Sequence, residues 1–495
     1  MNTSKQTTPG DLHHVLPSAD AIESARSKLL KDLPDVGIGA EKTNAHLQAD
    51  LVPGLNRASE SPSYYGFVIG GATPAASFAD EIVTKTDQNV HVHLPKETIS
   101  TDVEDRALTM VCQLLDLAPD NWTHRIFTTG ATASNILGLA CGREFVVEEA
   151  ARRRSQRISV AEHGIPQAMK AAGLDRIQVL TTVPHSSLRK AAAVVGLGRQ
   201  CVVEVGCYSE SETHRFDMHA LELRLSEPSS ASIVVVSCAE VNTGLFATDF
   251  AALQQIRQLC TKYGAWLHVD AAFGLLARVL PQTEEYHLLN EGVAGLELAD
   301  SITGDAHKLL NVPYDCGIFL SKHLEVGLGV FHNPNAAYLN TASTETTTSA
   351  DRTIPSPLNM GLENSRRFRA LPVYATLTAY GREGYREMLE RQIRLSRGIA
   401  NFISESEHYD LLPEAHRKTT TDVRFRQIYI VVLFRARGDE LNKVLVQRIN
   451  ATRKLYISGT QWNGKPAARF AVANWQVNVE RDLKLIKEVL LEVSH

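Results

Sequence analysis

The sequence predicts an α/β fold: a large domain on a mainly parallel sheet, followed by a smaller α+β C-terminal domain. Three observations predict it. Short β-branched runs alternate with helical stretches from about residue 100 to about residue 320, the pattern of parallel strands joined by crossover helices. Polar turns of small residues follow several of these runs, at the strand ends where ligands gather in open α/β sheets. Beyond a Thr/Ser-rich stretch the texture changes to one long helical segment and a few separated strands.

The elements follow in chain order. The first ten residues are polar and are expected to be disordered. Residues 20–60 carry a helical pattern that ends in a connection near Pro53 and Gly54, and Ser61–Gly71, rich in aromatics and glycine, reads as an irregular loop. Thr101-Asp-Val-Glu104 reads as a capping box opening an amphipathic helix with Leu108, Val111, Leu114 and Leu115. Strands are expected at Arg125–Thr129, Ile177–Thr182, Cys201–Val205, Ile233–Ser237, Trp266–Val269, Asp300–Thr303 and Gly317–Leu320. Residues 341–357, TASTETTTSADRTIPSP, form a predicted loop with the composition of a closing lid. Ser365–Ser404 is a long helical pattern, followed by strands near Ile428–Phe434 and Arg469–Ala473. The final helix has Leu483, Ile486, Val489, Leu490 and Val493 on one face. The resulting division is an N-terminal arm, 1–75, a large domain, 76–357, and a small domain, 358–495.

Composition narrows the function classes. With 51 basic and 56 acidic residues the net charge is −5, which gives no global basic surface for nucleic acid. The basic run Arg152–Arg154 stands beside Glu148 and Glu149 and reads as a solvated helix face. Seven scattered cysteines form no C-x-x-C pair, which argues against a zinc site or disulfide framework and fits a reducing, cytoplasmic setting. No apolar run is long enough to span a bilayer, and the first twenty residues lack a secretory h-region.

The residues that carry chemistry stand after the strands. Lys308 lies in Asp305-Ala-His307-Lys308, between two strand candidates; a lysine there can serve as an amine nucleophile, although a His-Lys pair alone is more often solvated. Trp266-Leu-His268-Val-Asp270-Ala-Ala272 is a strand run ending in a carboxylate, which can keep a heterocyclic nitrogen protonated or simply cap the next helix. Thr129-Gly130-Ala131-Thr132-Ala-Ser134-Asn135 is a small-residue turn before a helix, suited to a phosphate or to an ordinary cap. His185, in His185-Ser-Ser-Leu-Arg-Lys190, stands at a strand end and reads as a ring-stacking imidazole or a satisfied residue near a cap. Glu240-Val-Asn242-Thr243-Gly244 adds another polar turn at the same edge. Tyr64, Tyr65 and Phe67 suit an aromatic wall or core packing equally.

These segments, taken in order with Ser365-Arg366-Arg367-Phe368-Arg369-Ala-Leu371, resemble the group II decarboxylases that use pyridoxal 5′-phosphate (PLP), from about residue 60 to residue 480. LNVPYDCG and Ala473-Asn474-Trp475 place the resemblance in a less characterised branch that includes aminotransferase-type names. The resemblance implies the type I PLP (aspartate-aminotransferase-like) fold, a homodimer with interlocking arms, and α-decarboxylation of an L-amino acid to an amine and carbon dioxide. In such a dimer, residues near Leu94 and Pro95 reach the partner's site. Transamination or retro-aldol cleavage is the alternative on the same fold. It also implies roles: Lys308 carries the cofactor, Asp270 pairs with its ring nitrogen, and His185 and Ala272 take the two ring faces. Ala131 and Thr132 bind the phosphate, Thr243 lies beside the cofactor, and Tyr338 is a proton donor on the loop. Asp305 stands where many relatives carry Asn, so it is a poor direct phosphate ligand and instead acts through water or orders His307.

Overall fold

Seven of the β-rich runs pair into one sheet, whose central strands bury side chains on both faces and must be covered by helices on both. The computed structural model describes residues 14–207, 212–333, 354–414 and 421–494; Tyr338, the first ten residues and 341–353 of the expected lid lie outside them. Numbered in chain order, β1 is Tyr64–Tyr65, β2 His124–Thr128, β3 Arg176–Thr181, β4 Val202–Glu204, β5 Ser230–Ser237 and β6 Trp266–Asp270. β7 is Ser301–Asp305, β8 Gly317–Ser321, β9 Tyr409–Leu412, β10 Val431–Ala436, β11 Tyr456–Trp462 and β12 Lys465–Ala471.

The large sheet runs β2-β8-β7-β6-β5-β3-β4. β8 pairs antiparallel with both β2 and β7, and the pairs from β7 through β6, β5 and β3 to β4 are parallel. The expected mainly parallel sheet is therefore present. The helix Ala131–Arg153 covers one face: its Leu137, Cys141 and Val147 share a buried cluster with Ile233, Val235, Trp266 and Phe319. A second sheet, of order β1-β11-β12-β10-β9, belongs to the other of two compact units. One unit comprises the chain up to Gly71, Arg391–Leu412 and Ile430–His495; the other comprises Ala72–Glu390 with Pro413–Tyr429.

Several local expectations change. Ser61–Gly71 is not wholly irregular, since Tyr64 and Tyr65 pair in parallel with Tyr456 and Ile457. Both tyrosines are buried, and Tyr64 stacks on Tyr456 at 4.5 Å, so these two are packing residues. Thr101 is not a helix cap. The helix is Ser100–Leu114, its cap position Ile99 makes no side-chain bond, and Glu104 turns inward to a buried Arg366 at 2.7 and 2.9 Å. A bidentate guanidinium partner outweighs one backbone amide. The long C-terminal helix begins at Ala370, not Ser365, runs to Glu405 and is interrupted at Gly381, where φ is 56°.

Candidate active site

The five segments singled out in the sequence meet at one edge of the large sheet. β2, β3, β5, β6 and β7 run the same way, so the turns after Thr128, Thr181, Ser237, Asp270 and Asp305 emerge together. The antiparallel β8 starts at that edge: Gly317 pairs with both Thr128 and Asp305. A Cβ on Gly317 would stand 2.6 Å from the backbone of Gly130, so only glycine lets the turn before the helix approach so closely.

Asp305 is the hub of one half. Its Oδ1 accepts from the Ala131 backbone N–H at 2.6 Å, at the N-terminus of the helix Ala131–Arg153. Its Oδ2 lies 3.0 Å from Lys308 Nζ and 3.7 Å from His307 Nε2. The carboxylate is thus held between a helix N-terminus and an ammonium group, both of which favour its charge. The Lys308 side chain keeps 19 % of its exposure against 4 % for Asp305, so the amine is reachable while its partner is sealed. Lys308 Nζ also lies 5.6 Å from the centre of the Phe273 ring. His307 N–H donates to Cys316 O at 3.1 Å, and His307 Nδ1 lies 2.9 Å from the same oxygen. Burial pushes the His307 pKa down, with the Asp305 charge opposing.

Asp270 is the hub of the other half. Its Oδ2 accepts from Asn135 Nδ2 at 2.9 Å, and its Oδ1 accepts from the Ala272 N–H at 3.3 Å. His268 lies two residues earlier on β6, on the same face because strand side chains alternate, and Asn135 is one helical turn beyond Ala131. Burial lowers the His268 pKa to about 4, although the Asp270 charge works the other way.

The remaining candidates take simpler positions. His185 is the cap residue of the helix Ser186–Val194: its Nδ1 accepts from Ser187 N at 3.2 Å and lies 2.6 Å from Ser187 Oγ. Gly130, not Thr132, holds the cap position of the helix Ala131–Arg153, which places Thr132 in its first turn. Thr243 is bound to its own turn, with N and Oγ1 donating to the buried Glu240 carboxylate at 2.8 and 2.9 Å. Asn135, His268 and Phe273 were missed. The first two are polar residues inside an apolar helix and an apolar strand, which is the signal that exposes them.

This donor set fits PLP. An amine, a strand-end carboxylate, an imidazole and a helix N-terminus are what an aldehyde, a protonated pyridine nitrogen, an aromatic face and a phosphate require. Ala131 N–H, however, is already engaged by Asp305.

Comparison with known proteins agrees. The family profile described as "Pyridoxal-dependent decarboxylase conserved domain" matches residues 33–428. L-2,4-diaminobutyrate decarboxylase of Acinetobacter baumannii is 30 % identical over 74 % of this chain and 68 % of its own length. Tyrosine decarboxylase 2 of Arabidopsis thaliana is 27 % identical over 94 % and 77 %. Among solved structures, Oryza sativa TDC with PLP and tryptamine superposes with a TM-score of 0.78 at 19 % identity, over 97 % of this chain and 93 % of that one. The sequence match, which spans most of the chain, shows that it belongs to the pyridoxal-dependent decarboxylases, carboxy-lyases that act on amino acids with PLP.

Proposed function

We propose the following division of labour for PLP-dependent decarboxylation of an L-amino acid in this chain. Lys308 Nζ would hold the cofactor through its aldehyde. Asp270 holds the proton on the ring nitrogen. His185 and Ala272 would take the two faces of the ring, with Thr243 beside the cofactor. The helix N-terminus at Ala131 and Thr132 serves the phosphate, while Asp305 and His307 order the lysine and its turn. When bound, PLP supplies an electron sink for the pair left at Cα as carbon dioxide departs. Tyr338 then delivers a proton to Cα, which yields the amine. The observation that carries this reading is the 3.0 Å pairing of Lys308 with Asp305, the last residue of β7, beside the β6 strand that ends in Asp270.

We further infer a cytoplasmic homodimer. No helix among the described residues is long and apolar enough to cross a membrane. A cluster of exposed apolar side chains near the N-terminus, Leu29, Leu30, Leu33, Val36 and Ile38, supports a self-associating surface. The relatives bear names of decarboxylases for diaminobutyrate, tyrosine and aspartate, so the side chain accepted is the part to be measured. Incubating the PLP-loaded enzyme with each L-amino acid should give carbon dioxide and the matching amine in equal amounts. Keto acid without carbon dioxide would replace decarboxylation by transamination.

A further inference from the structure

Behind Asp270 runs a chain of fully buried polar side chains that none of the roles above uses. Trp266 Nε1 lies 2.9 Å from Ser301 Oγ, Ser301 Oγ 2.7 Å from His268 Nδ1, and His268 Nε2 2.9 Å from Asn135 Oδ1. Asn135 Nδ2 lies 2.9 Å from Asp270 Oδ2. The helix is shaped around this chain: a Cβ on Gly138 would stand 2.5 Å from the His268 ring.

The direction of every bond follows from the two ends. An indole N–H only donates, so Ser301 Oγ accepts from Trp266; the carboxylate end needs a donor at His268 Nε2, which leaves Nδ1 of the neutral ring to accept the Ser301 proton. His268 is then the neutral tautomer with its proton on Nε2, which donates to Asn135 Oδ1, with Thr303 Oγ1 a second neighbour at 3.3 Å. The Asn135 amide is thereby oriented, and its N–H groups must face Asp270. Starting from the other end, an ionised carboxylate only accepts and demands the same orientation. Both oxygens of Asp270 then face donors, Asn135 Nδ2 and Ala272 N.

Asn135 also reaches the other cofactor-facing side chain. Its Nδ2 lies 3.5 Å from Ser187 Oγ, which in turn lies 2.6 Å from His185 Nδ1. Because Ser187 N–H donates to that same nitrogen, Nδ1 is an acceptor, and Ser187 Oγ–H points to it while its lone pair is left for Asn135.

We propose that Asn135 and His268 are positioning residues that aim the Asp270 carboxylate and tie its placement to that of His185. The chain starts at a donor-only indole and ends on an acceptor-only carboxylate, so an interior neighbour cannot flip without leaving a buried group unpaired. The proposal rests on Asp270 being the partner of the ring nitrogen.

The test uses the PLP-loaded enzyme and reads the visible absorption of the bound cofactor against pH, together with the PLP dissociation constant. Asn135→Leu keeps the volume and removes the relay. It should move the pH midpoint by about one unit and weaken PLP binding about tenfold or more, the usual scale for loss of an orienting partner. The pair His268→Leu and His268→Gln separates hydrogen bonding from packing, since only Gln can still donate to Asn135 Oδ1. Leu should reproduce the Asn135→Leu shift, and Gln should recover most of it. Equal behaviour of the two His268 variants, or a wild-type midpoint in Asn135→Leu with only a lowered melting temperature, overturns the proposal. If Asn135→Leu does not fold, the His268 pair decides. Asp270→Asn is measured alongside. A midpoint moved by Asp270→Asn alone leaves Asp270 in its role and removes the relay, whereas a midpoint moved by none of the variants removes both.

Discussion

At the scale of single residues, the reading turns on how two carboxylates at neighbouring strand ends are held differently. Asp305 is saturated by a helix N-terminus and the Lys308 ammonium, whereas Asp270 is held by one amide and a turn N–H. The first is therefore a fixed counter-charge to the lysine, and the second a carboxylate aimed by two neutral donors. Asp270→Asn should retain part of its PLP affinity, because the phosphate and amine anchors are elsewhere, yet lose activity by about a hundredfold or more, because an amide cannot hold the ring nitrogen protonated. Steady-state rates with equilibrium PLP binding check this, and near wild-type turnover would place the function on another carboxylate. The placement of Lys308 and Asp270 at one sheet edge was legible from sequence because each stands where a strand run stops. The Asp305 contacts were not, since the partner amide lies far away in sequence and only the sheet order brings the two together. His185 is a cap residue by geometry, the plainer of the two readings that the sequence allowed, and its ring-stacking role stands as a proposal.

At the scale of elements, strand-helix alternation was readable because β-branched runs and amphipathic stretches have different periods. What failed were ends and edges. The hairpin β11–β12 was half missed, with only a strand near Arg469 expected, although Asn463-Gly464 between the two strands is a strong turn signal and both residues sit at positive φ, 49° and 71°. The Thr101 cap failed for a tertiary reason, the pull of Arg366 on Glu104. That buried pair welds the helix Ser100–Leu114 to β2, since Arg366 also donates to Phe127 O at 2.7 Å and Glu104 Oε1 accepts from Phe127 N at 3.2 Å. Arg366→Met would leave Glu104 charged, buried and short of its partner. The expected cost is about 3–5 kcal/mol of stability, read as a lowered urea midpoint. Adding Glu104→Gln should return a substantial part of it, because the neutral amide no longer needs a counter-charge. A double variant no more stable than the single one would show that the pair acts through packing alone.

At the scale of the whole molecule, an exposed apolar surface has to be explained by what covers it. From Leu29 to Ile38 the chain presents Leu33 at 94 % and Val36 at 83 % of full exposure, with Leu29, Leu30 and Ile38 also exposed. Side chains of this kind are costly to leave in water, and a contiguous cluster of them marks an interaction surface. A second copy of the chain is the partner that the family resemblance implies, and a two-fold contact would bury the same cluster twice. Burying a leucine side chain contributes about 1.5–3 kcal/mol. Replacing Leu30 and Leu33 by Glu in one variant should therefore weaken the dimer by at least about 3 kcal/mol, roughly a hundredfold or more in dissociation constant. Neither residue is assigned to the cofactor, so the fold and the PLP band should survive in the separated subunits. Sedimentation velocity over a dilution series reads the dissociation directly. Activity should fall in step with the dimer fraction and recover as the protein is concentrated, as the proposed homodimer with a shared site requires. A variant that remains a dimer with wild-type affinity would show that the cluster is covered by something else, and a fully active monomer would show that one subunit completes its own site.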